Sequence, residues 1–180
     1  MPLLEARVAA IYVSSIAGGP MKPCESATAV AGWGLGGDRY GKGQGTFNVN
    51  EHPKLAEKAC QLTIITSEGI EAANEIAATW GGEYTGQMTR RNIEVKGINP
   101  EDLLSLDGRT FFIGGVELCG VGECTPCARP SILLEEANKS RFKTAFADGR
   151  GGLKVAVITT GNIHRNDKLV YQTSVLHKVG

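Results

Sequence analysis

Cys127 is the side chain that the sequence best equips for chemistry. It lies in the stretch Gly122-Glu123-Cys124-Thr125-Pro126-Cys127-Ala128-Arg129-Pro130. Two thiols three positions apart follow a strand-like segment, occupy a turn, and have Arg129 beside them. The thiolate is the nucleophilic and metal-binding form of cysteine, and a neighbouring cation or a following helix start lowers its pKa. The pattern 131–139 predicts such a helix, capped by Ser131 after Pro130. A zinc centre would need two further ligands. Cys119 belongs to the preceding strand, and His52, His164 and His177 have no paired spacing. A thioredoxin-like redox pair would open a long helix in a βαβ context, which is missing. On residue types alone, a reactive thiol and a structural turn are equally open readings.

Two other clusters have the residue types of an anion site. Residues 34–45 are dense in glycine and contain Asp38-Arg39. Glycines let backbone N–H groups approach an anion, and an arginine adds a bidentate grip. No Gly-Lys-Ser/Thr ending follows, so this is not a nucleotide P-loop. Alone, it reads more simply as a flexible glycine loop. The second cluster is Thr89-Arg90-Arg91-Asn92, at the entry to a strand. Side chains alternate along a strand, so one of the two arginines is expected to face solvent. A plain surface pair is the competing reading.

The elements that must position these residues are mostly short strands. Strands are expected at 6–13, 61–66, 92–96, 155–160 and 168–173, with a short one at 30–33. A hairpin is expected from 109–113 and 116–121 around Gly114-Gly115. The long helical pattern is 67–80, capped by Ser67 and ended by Gly81-Gly82, with Ile70, Ala73, Asn74 and Ala77 on one face. A helical turn is expected at 102–106. From 34 to 54 no regular structure is expected, and partial disorder without ligand follows from the glycine density. Strands outnumber helices and do not alternate with them, so the fold class is mainly β. An irregular, largely antiparallel β-barrel with a few short helices fits best, since closure leaves few open edges.

Composition narrows the function classes. A chain of 180 residues suits one domain. Lys+Arg and Asp+Glu both number 19, which leaves no footprint for duplex nucleic acid or an anionic membrane. The N-terminus Met-Pro-Leu-Leu-Glu-Ala-Arg reaches a charge before any apolar run, and no window approaches the ~18 apolar residues of a membrane span. A soluble, cytoplasmic protein is expected. Five cysteines, an odd number, argue for reduced thiols, with Cys24, Cys60 and Cys119 assigned to packing.

Taken in order, the motifs resemble a family. They are Gly-Leu-Gly-Gly-Asp-Arg (34–39), Gln-Leu-Thr-Ile-Ile with its helix (61–78), Arg-Arg-Asn-Ile-Glu-Val-Lys-Gly (90–97) and Ile-Gly-Gly-Val-Glu-Leu (113–118). Pro-Cys (126–127) and Gly-Gly-Leu-Lys-Val-Ala-Val-Ile…Gly-Asn-Ile…Asn-Asp-Lys-Leu (151–169) complete the set. The chain resembles the MOSC domain, the module at the C-terminus of molybdenum cofactor sulfurases, here as a standalone domain over 1–180. The resemblance implies a β-barrel and a cysteine that holds either the molybdenum of a pterin cofactor or a persulfide. Cys127 matches the family cysteine, and Cys124 an upstream cysteine of some members. Asp38, Arg39, Arg91 and Asn92 match positions that would face the pterin and phosphate. Arg-Arg-Asn stands where Gly-Glu-Asn is common in the family. The implied activities are a molybdenum-cofactor-dependent reductase of N-hydroxylated compounds, or a sulfur carrier with its persulfide on Cys127. A non-catalytic anion-binding domain is the third reading. The implied partners are a small-molecule substrate, a sulfur donor protein or an electron-donor protein. The pyridoxal phosphate of full sulfurases belongs to a separate domain, so none is expected on this chain.

Overall fold

Apolar residues on one face of each short strand decide the architecture. In β1 (Ala6–Val13) Ala6, Val8 and Ile11 are buried; in β7 (Thr110–Ile113) Phe111 and Ile113 are buried while Phe112 is exposed. Strands with one apolar face must cover it, and a barrel does so without leaving edges. The computed structural model describes residues 5–44 and 60–171. The other strands of the main sheet are β2 (Lys22–Cys24), β5 (Leu62–Thr66), β6 (Ile93–Lys96), β8 (Val116–Glu123), β9 (Leu153–Val157) and β11 (Lys168–Val170). Their order is β11-β7-β8-β9-β5-β6-β1-β2, and the added β11–β1 pairing closes seven of them into a barrel. One edge of β1 pairs with β6. The other is divided between β11, opposite Ala6 and Arg7, and β2, opposite Ile11 to Val13. All barrel pairings are antiparallel except β5–β6. A three-stranded sheet of β10 (Gly161–His164), β3 (Ser26–Val30) and β4 (Gly34–Leu35) packs alongside.

The parallel β5–β6 pair requires a crossover, which α1 (Ser67–Ala77) provides. Thr66, not Ser67, is its N-cap. β5 runs through Thr66 in extended geometry, so the Thr66 hydroxyl accepts from Gly69 N–H at 2.9 Å. Ile70, Ala73 and Ala77 bury against Tyr84 and against Phe142 and Phe146. Phe142 belongs to α4 (Arg141–Ala145), and its ring stacks on Phe146 at 4.3 Å. Asn74, on the same face, exchanges two hydrogen bonds with the Tyr84 backbone instead of packing. The remaining helices are α2 (Pro100–Leu104) and α3 (Arg129–Leu133). α3 starts earlier than the sequence pattern predicts, and Ser131 is not its cap. The Ser131 hydroxyl is buried and accepts from Phe142 N–H, tying α3 to α4.

The glycine segment is more ordered than its composition predicts, as far as residue 44. β4 pairs with β3, Gly36 N–H donates to Thr28 O, and Arg39 N–H donates to Ser14 O at the end of β1. The rest of the expected flexible stretch, 45–54, lies outside the described residues. No helix among the described residues is long and apolar enough to cross a membrane.

Candidate functional site

A cavity of about 660 Å³ opens where the end of β1, the glycine segment, the start of β6 and the end of β8 converge. The structure brings Asp38, Arg39, Arg91, Asn92 and Cys127 together on its wall. Arg90, Arg129, Lys154, Cys60 and Cys124 line it as well.

β8 delivers the thiols. Its ladder with β9 shifts register between Gly120 and Glu123, and Gly122 has φ +116°. Such a bulge turns the chain out of the sheet, a device common beside functional sites. The turn then lies against Gly151, where a Cβ would come within 2.3 Å of Cys124 O. Only glycine admits that approach. Arg91 fastens the two segments: its Nε donates to Gly151 O at 2.7 Å and its Nη2 to Cys124 O at 3.4 Å. Cys127 is exposed, Cys124 half-buried and Cys60 buried.

Arg90 and Arg91 both line the cavity, contrary to the expectation of one solvated arginine. Alternation fails because β6 begins only at Ile93, and Arg90 has φ +63° closing a helical turn at 87–89. Arg90 Nη1 donates to Gly19 O at 2.8 Å. Burial, then the charges of Arg39 and Arg129, hold the Arg90 guanidinium below its ordinary pKa. Several like charges crowd this wall, the arrangement of a site completed by an anion.

Asp38 and Asn92 lie on the wall with their polar atoms engaged inward. Asp38 Oδ1 accepts from Ser14 N–H at 2.9 Å and from Asn92 Nδ2 at 3.3 Å; Oδ2 accepts from Tyr40 N–H at 3.1 Å. Asn92 Oδ1 accepts from the backbone and hydroxyl of Thr63, and its Nδ2 also donates to Tyr12 O. The pair ties β1, β5, β6 and the glycine segment into one frame that aims Arg39.

Sequence reasoning set Cys60 aside as packing and left Arg129 and Lys154 out of the site. Cys60 precedes β5 and Lys154 lies within β9; the β5–β9 pairing brings both to the cavity that Cys124 lines. The Cys60 thiol is pushed up to about 12, by burial first and then by Cys124. With iodoacetamide near pH 8, alkylation is expected at Cys127 within minutes and at Cys60 only after unfolding, read by peptide mass spectrometry. The raised value has a sign for stability too. It favours the fold fully below the ordinary thiol pKa, and the benefit is lost as pH rises from there towards about 12.

Among the described residues, no group of three or more His, Cys, Asp or Glu is disposed to hold a metal ion.

A closed seven-stranded barrel with a crossover helix, carrying a thiol and arginines on one cavity, defines the class of protein. The MOSC domain model matches residues 51–170, and the chain belongs to the MOSC domain family. Solved structures share the fold. The YUAD protein from Bacillus subtilis superposes with a TM-score of 0.69 at 22% identity, over 93% of this chain and 97% of that one. YiiM from Geobacillus stearothermophilus gives 0.64 at 14% identity, over 96% and 77%. YiiM from Escherichia coli gives 0.62 at 14%, over 93% and 71%. Among curated proteins no sequence match reaches significance.

Proposed function

We propose that residues 1–180 act as one cytoplasmic domain whose cavity binds a molybdenum–pterin cofactor, with the Cys127 thiolate as the metal's protein ligand. The activity proposed is reduction of N-hydroxylated compounds. The observation that carries this reading is the meeting of Arg39, Arg90, Arg91, Arg129 and Lys154 with one exposed thiol on a single cavity. The donor set fits the group. An anionic cofactor that brings its own sulfur ligands asks the protein for cations and one soft donor, and molybdenum is soft enough to prefer sulfur. When bound, the cofactor supplies the redox chemistry, and the protein supplies binding, orientation and electrostatics.

Each residue then has a task. Cys127 holds the metal. Arg39, Arg90 and Arg129 grip the anionic part of the cofactor. Arg91 keeps the thiol turn on the barrel rim through its bonds to Gly151 and Cys124. Asp38 and Asn92 act at one remove, positioning Arg39. Cleaving an N–O bond to an amine and water consumes two electrons and two protons, and an electron-donor protein is the proposed source of the electrons. The reading assigns no pyridoxal phosphate to this chain.

A second reading is favoured by one observation: Cys124 and Cys60 share the cavity with Cys127. In that reading Cys127 holds a persulfide received from a sulfur donor protein and passes the sulfur on. Metal and pterin analysis of protein from a cofactor-making host separates the readings. Stoichiometric molybdenum and pterin are expected. A metal-free protein whose Cys127 peptide is heavier by one sulfur atom would replace the first reading with the second. Neither would leave a non-catalytic anion-binding domain.

A further inference from the structure

Next to the cation-lined cavity lies a second hollow, of about 490 Å³, in the size range of ligand pockets. The two share Gly18, Met21, Arg90 and Pro130, so they adjoin across these residues. Gly18 marks the junction. A Cβ there would stand 3.0 Å from Arg129 Nη2 on the charged side and 3.7 Å from Leu133 Cδ2 on the other.

The character of the wall changes across that junction. Met21, Met88, Leu133 and Leu134 dominate the second hollow, and Arg90 is its single charged side chain among the described residues. Two of its polar groups are turned to the backbone: Arg90 Nη1 donates to Gly19 O, and Gln87 Nε2 donates to Met21 O. Met88, Leu133 and Leu134 remain 37%, 36% and 38% exposed, more apolar surface than folding alone asks of them. Methionine walls reshape to fit different apolar bodies.

We propose that this hollow receives the apolar body of the substrate while its polar head enters the cation-lined cavity near Cys127. The ligand class is therefore small amphipathic molecules with a neutral or anionic head and an alkyl or aryl body. Charge complementarity sets the head. A cationic head would be repelled by Arg39, Arg90 and Arg129 on the charged cavity, whereas an anionic one would relieve their mutual repulsion and a neutral one could accept hydrogen bonds from them. The inference rests on the reading of the charged cavity as the reaction site, and it concerns the part of that site that selects the substrate.

The test uses binding to the cofactor-free protein, measured by titration calorimetry with butano-, hexano- and octanohydroxamic acid and with octylamine. Affinity for the acids is expected to climb by about fourfold per fully buried methylene as chain is taken from water. Octylamine should bind more weakly than octanohydroxamic acid. Leu133→Asn and Met88→Gln should each flatten the chain-length dependence and leave butanohydroxamic acid unchanged. Equal affinity along the series, or a slope untouched in both variants, would overturn the proposal. So would sedimentation showing a stable dimer that octanohydroxamic acid neither enters nor disrupts. Molybdenum loading is measured separately. A failed series with normal loading removes the apolar subsite alone. An intact series without loading removes the cofactor reading and leaves an amphiphile site.

Discussion

Cys127→Ser protein from a cofactor-making host is expected to contain no molybdenum, while melting at the temperature of cofactor-free wild type. The exposed thiol packs against little, so its exchange for a hydroxyl should not disturb the fold. Chemically the exchange is severe. Serine stays protonated at neutral pH, and its oxygen is a hard donor where a soft metal calls for sulfur. Cys119→Ser is the matched control. Cys119 is half-buried in β8, and its thiol donates to Gly120 O at 3.5 Å. That variant should load molybdenum normally and lose about 1 kcal/mol of stability at most. Equal loading of the Cys127→Ser protein and wild type would end the case for this thiol as the ligand.

The second large effect should come from a residue proposed to act at one remove, by positioning Arg39. Asn92→Ala is expected to cost about 3 kcal/mol, because burial leaves former partners without water to replace the lost bonds. The side chain is 6% exposed and serves Thr63, Tyr12 and Asp38 at once. Its removal strands Tyr12 O and weakens the hold on Asp38, whose other bonds fix Ser14 and Tyr40. Cofactor loading should fall with stability, since Arg39 would lose its frame. Asn92→Asp sharpens the test. It keeps the acceptor facing Thr63 but sets a second carboxylate against Asp38, so it should be worse at neutral pH than in mild acid. Chemical denaturation alongside metal analysis reads both. A loss of stability under about 1 kcal/mol for Asn92→Ala would show that the frame does not depend on this amide.

The parts legible in the sequence were those that local chemistry determines. Alternation around Gly114-Gly115 locates the β7–β8 hairpin, and β-branched residues locate β5 and β9. The apolar spacing of Ile70, Ala73 and Ala77 marks α1. Short strands without such patterns were not legible. Gly161-Asn162 reads as a turn, yet Gly161–His164 forms β10 because Ala29, Thr28, Ala27 and Ser26 lie opposite it, across most of the chain's length. β2 and β4 likewise owe their form to partners rather than to propensity. At the site, the Pro-Cys motif and the Asp-Arg and Arg-Arg-Asn clusters were visible as residue types. Their convergence was not. The mistaken solvation of one arginine came from assuming a strand that starts too early. The omission of Lys154 and Cys60 came from contacts that only sheet pairing creates.

The closure of the barrel has a kinetic consequence. The seam is short, with Ala6 opposite Leu169 and Arg7 opposite Lys168. It joins segments more than a hundred and fifty residues apart, so the loop-closure entropy must be met before those bonds form. Every other barrel pairing joins strands closer along the chain. The seam should therefore zip last in folding and open first in thermal fluctuation. It meets the start of β1, whereas the cavity lies at the end of β1 beyond Val13, beside Ser14. The barrel can thus breathe at one end while the arginines and the thiol keep their places at the other.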